Sequence, residues 1–118
     1  MSDVLRSLVK ESLLETKGKD VEVLDVTKLS DVMDFLIIAT GTSNRHVKSL
    51  ANNVIEDAKA KKIRPIGVEG MDAGEWVLVD YGDVVLHVMQ QATRDFYELE
   101  KLWSTEPASR SQQPSNPV

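Results

Sequence analysis

Residues 74–103 read GEWVLVDYGDVVLHVMQQATRDFYELEKLW, and the reading of this stretch decides the rest. Two runs alternate in period two, Trp76 to Asp80 and Asp83 to Met89, with Tyr81-Gly82 between them, the pattern of a β-hairpin whose glycine supplies a tight turn. A two-residue Tyr81-Gly82 loop predicts that Asp80 pairs with Asp83, Leu78 with Val85 and Trp76 with His87. One face then carries Val77, Val79, Val84, Leu86 and Val88, an aliphatic set suited to a core. The other carries Trp76, Leu78, Asp80, Asp83, Val85, His87 and Met89, too apolar for open solvent and too charged for a sealed interior. Either helices cover that face and leave its carboxylates at a wet rim, or it is a docking surface for a partner rich in Lys and Arg. Periodicity leaves both readings open.

Working outward, residues 2 to 16 place Val4, Leu5, Leu8, Val9 and Leu13 on one helical stripe, with Ser2 a cap and Gly18 a stop. Val21 to Val26 and Phe35 to Thr40 read as strands, the second so continuously apolar that both its faces are expected to be buried. Gly41-Thr42-Ser43 makes a turn with Ser43 as N-cap. Val47, Leu50, Ala51, Val54, Ile55 and Ala58 then recur at helical spacing as far as the Lys59 to Lys62 region. Arg64-Pro65 ends that helix, and Ile66 to Glu69 forms a short strand, so a parallel crossover is expected. A last helix from about Thr93 is expected to share one packing face among Phe96, Leu99, Leu102 and Trp103. The predicted fold class is α/β, a single domain over residues 1–104 with about five strands in a mixed sheet and flanking helices. Residues 105–118, rich in Pro, Ser and Gln, are expected to form a disordered tail.

At 118 residues with 42% hydrophobic content, the chain has room for one ordinary core. It has no cysteine, which excludes disulfides and thiolate metal sites, and it carries no secretory or membrane-spanning run. The expected compartment is the cytoplasm; without an Arg/Ser-rich leader, a bacterial cytosol suits it best. The net charge of −5 is uneven: residues 44–66 hold six basic and two acidic side chains, residues 67–103 two basic and eight acidic. A polyanion repels the second segment, so little direct RNA contact is expected there, whereas a basic protein is attracted to it.

The run from Glu75 through Trp76, Asp80, Gly82, Asp83 and His87 to Met89, continued by Arg94, Phe96-Tyr97 and residues 99–103 (LEKLW), resembles the signature of the ribosomal silencing factor family, also called Iojap-like. Residues 34–43 (DFLIIATGTS), followed by Arg45-His46-Val47, match a second block of that family, and Glu69-Gly70 falls between the two. The resemblance implies an α/β fold similar to nucleotidyltransferases and a translation repressor that silences ribosomes when nutrients are scarce. It would bind the large ribosomal subunit through its fourteenth large-subunit protein and sterically block joining of the small subunit. No cofactor is implied. The partner-binding residues expected on this basis are Trp76 as apolar anchor, Leu78, Val85, His87 and Met89 around it, and Asp80, Tyr81 and Asp83 at the acidic edge.

Two other classes compete. A residual nucleotidyltransferase needs a phosphate-holding turn, which Gly41-Thr42-Ser43 resembles, and a pair of metal-holding carboxylates on the next strand. Residues 66–69 offer only Glu69, and Asp80 with Asp83 are expected to meet merely across a turn. A homodimeric adaptor in ribosome biogenesis would use the Trp76 face on a second copy. His46 and His87 have no spacing that joins them as metal ligands, so no metal is expected. The basic run Lys59, Lys61, Lys62 and Arg64 reads as a solvated helix end.

Overall fold

A computed structural model describes residues 2–103; the expected tail lies outside the described residues. Helix α1 (Ser2–Glu15) leads into β1 (Lys19–Asp25) and β2 (Phe35–Gly41), followed by α2 (Asn44–Ala60), β3 (Gly67–Glu69), β4 (Trp76–Asp80), β5 (Val84–Gln90) and two short helices, α3 (Gln91–Tyr97) and α4 (Leu99–Leu102). The sheet order is β1-β2-β5-β4-β3. Among the described residues only β2 and β5 pair in parallel; every other pairing is antiparallel, so the sheet is mixed, as expected. β3 runs in the same direction as β2 but is separated from it by two strands, because the later hairpin inserts between them.

β2 is an interior strand, next to the central β5, and is buried at every residue, which its apolar run requires. Its inward face joins Val77, Val79, Val84, Leu86 and Val88 with Leu5, Val9 and Leu13 of α1 and Val47, Leu50, Ala51 and Val54 of α2 in one core. Both long helices therefore cover the same side of the sheet. They are stapled to each other: the Asn53 amide donates to the Ser12 carbonyl at 3.1 Å and to its hydroxyl at 2.9 Å. Ser43 caps α2, its hydroxyl accepting from the His46 N–H at 3.1 Å. Val4, expected on the α1 stripe, is 61% exposed and points away from the core.

The hairpin is one residue further along than predicted. The Tyr81 N–H donates to the Val84 carbonyl at 2.9 Å, so Gly82-Asp83 form the turn, with Gly82 at φ +89°. The register becomes Asp80 with Val85, Leu78 with His87 and Trp76 with Met89, a shift of two residues from the expected pairs. Because side chains alternate with period two, that shift leaves every strand face as predicted. It does move Tyr81, which as a continuation of β4 falls on the helix-covered side and packs against that core. Asp80 and Asp83 do not pair; the Asp80 carboxylate instead accepts from the Gly82 N–H at 2.8 Å.

The last helix also differs. It breaks at Glu98, whose backbone is left-handed at φ 49° and ψ 51°. Leu99 and Trp103 then pack on the second sheet face, but Phe96 (78%) and Leu102 (72%) stand in water rather than on a shared packing face. What holds this arrangement is Arg94, 6% exposed. One terminal nitrogen donates to the Asp20 carbonyl at 2.6 Å and the Thr40 hydroxyl at 2.8 Å, and Nε donates to Glu100 at 2.8 Å. Asp20 sits at a bulge in β1, between the pairs Lys19 with Thr40 and Glu22 with Ile38, which frees its carbonyl from the ladder. Replacing Arg94 with Ala should cost about 2–4 kcal/mol, since it leaves buried partners unsatisfied. Urea denaturation at neutral pH measures this, and loss of under about 1 kcal/mol would refute the role.

Candidate functional site

The second sheet face is covered on one half only. Val26, Leu36, Ile38 and Met89 are sealed there beneath Leu99 and Trp103, while Trp76 and Val85 are partly buried at the margin. Toward β3 the cover stops, and Glu69, Gly70, Trp76, Leu78 and His87 line an open hollow of about 300 Å³. Gly70 has φ +89°, and any Cβ there would meet the Trp76 backbone carbonyl at 2.0 Å, so β3 can leave the sheet this close to the β4 backbone only through glycine.

The indole is held in place. Its N–H donates to His87 Nδ1 at 2.9 Å, and the ring lies 4.7 Å from Tyr97 between centroids, tilted by 50°. Accepting at Nδ1 places the His87 proton on Nε2. Burial pulls the His87 imidazole down from 6.5 to about 4, so the ring is neutral at physiological pH and keeps the lone pair that Trp76 needs. Burial also pushes the Tyr81 phenol up to about 12, and its hydroxyl has no hydrogen-bond partner among the described residues.

Of the residues expected to meet a partner, Trp76, Leu78 and His87 come together at the hollow and Val85 lies partly buried beside them. Met89 is fully buried, so it supports the face from beneath and is not part of its surface. Tyr81 points to the opposite side of the sheet, for the reason of strand parity given above. Asp80 and Asp83 lie at the far end of the hairpin from Trp76, and the exposed Asp83 uses its carbonyl to hold the β1–β2 loop through the Asp34 and Phe35 N–H groups. The hollow gains Glu69 and Gly70, which no local pattern assigned to it; only the antiparallel pairing of Glu69 with Leu78 brings them there. Tyr97 reaches the indole from α3 and Phe96 touches Tyr97 in turn, although helical spacing assigns Phe96 to the packing face.

The elements of nucleotidyl transfer do not converge. The Gly41-Thr42-Ser43 turn follows the carboxyl end of β2, which pairs with Met89 and Gln90 of β5, whereas Asp80 pairs with Val85 near the other end of that strand. The turn is occupied structurally: the Thr42 N–H donates to His46 Nδ1 at 2.9 Å, and His46 Nε2–H donates to the Thr16 carbonyl at 2.8 Å, tying α2 to the end of α1.

A family model described as ribosomal silencing factor during starvation matches residues 2–117. The chain belongs to the ribosomal silencing factor family. A silencing factor of Chromobacterium violaceum is 50% identical over 99 residues, covering 84% of this chain and 81% of that protein. Another, from Haemophilus influenzae, is 41% identical, covering 80% and 96%. A mouse protein named for mitochondrial assembly of the ribosomal large subunit is 35% identical over 86% of this chain, which spans 44% of that protein. The silencing-factor fold is matched by a crystal structure from Chromobacterium violaceum with a TM-score of 0.85 at 46% identity, covering 98% of this chain and 92% of that one.

The depressed His87 pKa has a consequence for stability. Between about pH 4 and 6.5 the unfolded chain binds a proton here that the folded chain refuses, so stability is full above pH 6.5 and falls as pH drops toward 4. The loss from this group should reach up to about 3 kcal/mol. Urea midpoints at pH 7 and pH 4.5 should differ less for His87→Gln than for the parent; an equal difference would show that His87 does not carry the effect.

Proposed function

We propose that this silencing factor represses translation by binding the large ribosomal subunit through its fourteenth large-subunit protein and blocking small-subunit joining. The observation that carries this reading is the half-open sheet face: an indole fixed by His87 and Tyr97, in a hollow with Leu78 and the exposed carboxylate of Glu69. Such a surface suits a protein with an aliphatic centre and cationic rim. The name of the mouse relative supports the large subunit as the target. The mechanism is steric, since a rigid domain seated on a joining surface prevents association without making or breaking a bond, and it needs no cofactor.

Family membership favours this over a homodimeric adaptor and over the nucleotidyltransferase reading, which requires a carboxylate pair beside the Gly41-Thr42-Ser43 turn, whereas Asp80 lies toward the other end of β5. Purified protein added to separated subunits should shift the sucrose-gradient profile from joined ribosomes to free subunits, with this chain sedimenting with the large one. A profile that stays joined at saturating protein rejects the proposal.

Trp76→Ala should raise the dissociation constant for large subunits about 30-fold or more. It should cost only about 1–2 kcal/mol of stability, because the indole is part-exposed, and circular dichroism checks that the fold survives. Glu69→Lys should slow association several-fold at low salt, the effect shrinking as ionic strength rises; stopped-flow binding at two salt concentrations measures it.

A further inference from the structure

We propose that the docking surface continues off the sheet onto α3, with Phe96 as a second anchor for a cationic protein; this rests on the reading of Trp76 as the first. Phe96 is 78% exposed, yet it is not isolated. Its ring meets Tyr97 edge-on, with centroids 4.9 Å apart and planes at 82°, and Tyr97 in turn lies 4.7 Å from Trp76. Three rings therefore run in unbroken contact from the hollow in the sheet out into water.

The fold holds Phe96 outward. Arg94 is buried and hydrogen-bonded to β1, β2 and α4, which fixes the rotation of α3. Two residues further on, a helical side chain lies roughly 200° round the axis, so an inward Arg94 dictates an outward Phe96. An exposed aromatic held in one orientation by a buried anchor has already given up the freedom that docking would otherwise remove. It is a poor contributor to the fold and a good one to an interface.

Charge selects the occupant. Exposed carboxylates accompany the rings: Asp95 and Glu98 flank Phe96-Tyr97 in sequence and Glu69 lines the hollow, while Lys101 is drawn to Glu98 at 3.4 Å. A polyanion is repelled by those carboxylates. A second copy of the chain would bring like charges face to face across an isologous contact. A protein surface with an apolar centre and Lys or Arg around it meets neither obstacle.

The test compares Phe96→Ala, Trp76→Ala and the distant surface control Val4→Ala in the full chain, titrated against purified large ribosomal subunits. Phe96→Ala should weaken binding roughly tenfold or more with an unchanged melting temperature, while Val4→Ala binds as the parent does. If Phe96→Ala binds normally and Trp76→Ala does not, α3 lies outside the surface and this inference falls while the sheet-face reading stands. If both bind normally, the sheet-face reading falls and takes this one with it. If Phe96→Ala abolishes self-association in sedimentation velocity and leaves subunit binding intact, the rings serve a dimer and the proposal is overturned.

Discussion

One buried guanidinium governs how much of the second sheet face stays open. Arg94 spans from the carbonyl freed by the β1 bulge to the Thr40 hydroxyl on β2 and to Glu100 on α4. A planar group with five fixed donors can meet three partners in different directions, which an ammonium on a flexible stem cannot do as well. Charged donors buried this deeply are costly unless satisfied, so the bulge, the threonine and the glutamate form one unit with it. The outcome is a short cover over β1, β2 and β5 that stops before β4. Leu99 and Trp103 form that cover; Trp76 lies at its edge.

The edge position explains the neighbourhood of the indole. A tryptophan at a half-covered margin is free to tip either into the core or into solvent unless its polar atom is engaged. His87 engages it, and can do so only while neutral, because a protonated imidazole has no lone pair at Nδ1. The burial that depresses the His87 pKa favours the neutral ring that accepts from the indole. Tyr97 limits the ring from the other side, so sheet and α3 meet through aromatic contact rather than through a second aliphatic layer.

Strand parity determined what could be read in advance. The faces of β4 and β5 were legible despite the misplaced turn, because sliding an antiparallel pair by two residues changes partners without exchanging faces. Tyr81 was the residue that paid for the error, since moving it from loop to strand sends it across the sheet. Met89 has the right parity but sits beneath α4, and no alternation reports which half of a face is covered. Phe96 and Leu102 were misread because helical spacing presumes an unbroken helix, and the left-handed Glu98 that breaks it carries neither Gly nor Asn to announce it. Glu69 reaches the hollow only through the order of strands, with two later ones inserted between β2 and β3. Such long-range placement has no local signal.

An exposed apolar hollow invites unwanted company, and the surrounding charges answer that problem. β3, the edge strand beside the hollow, has only three residues, too short to template pairing by another chain. Residues 67–103 carry eight acidic and two basic side chains, which under the proposed reading makes contact between two such faces repulsive. The same repulsion becomes attraction when the facing surface is cationic. In the proposed binding mode selectivity would come from two terms: the rings supply apolar area, and the negative charge of this half favours a basic partner over an acidic one.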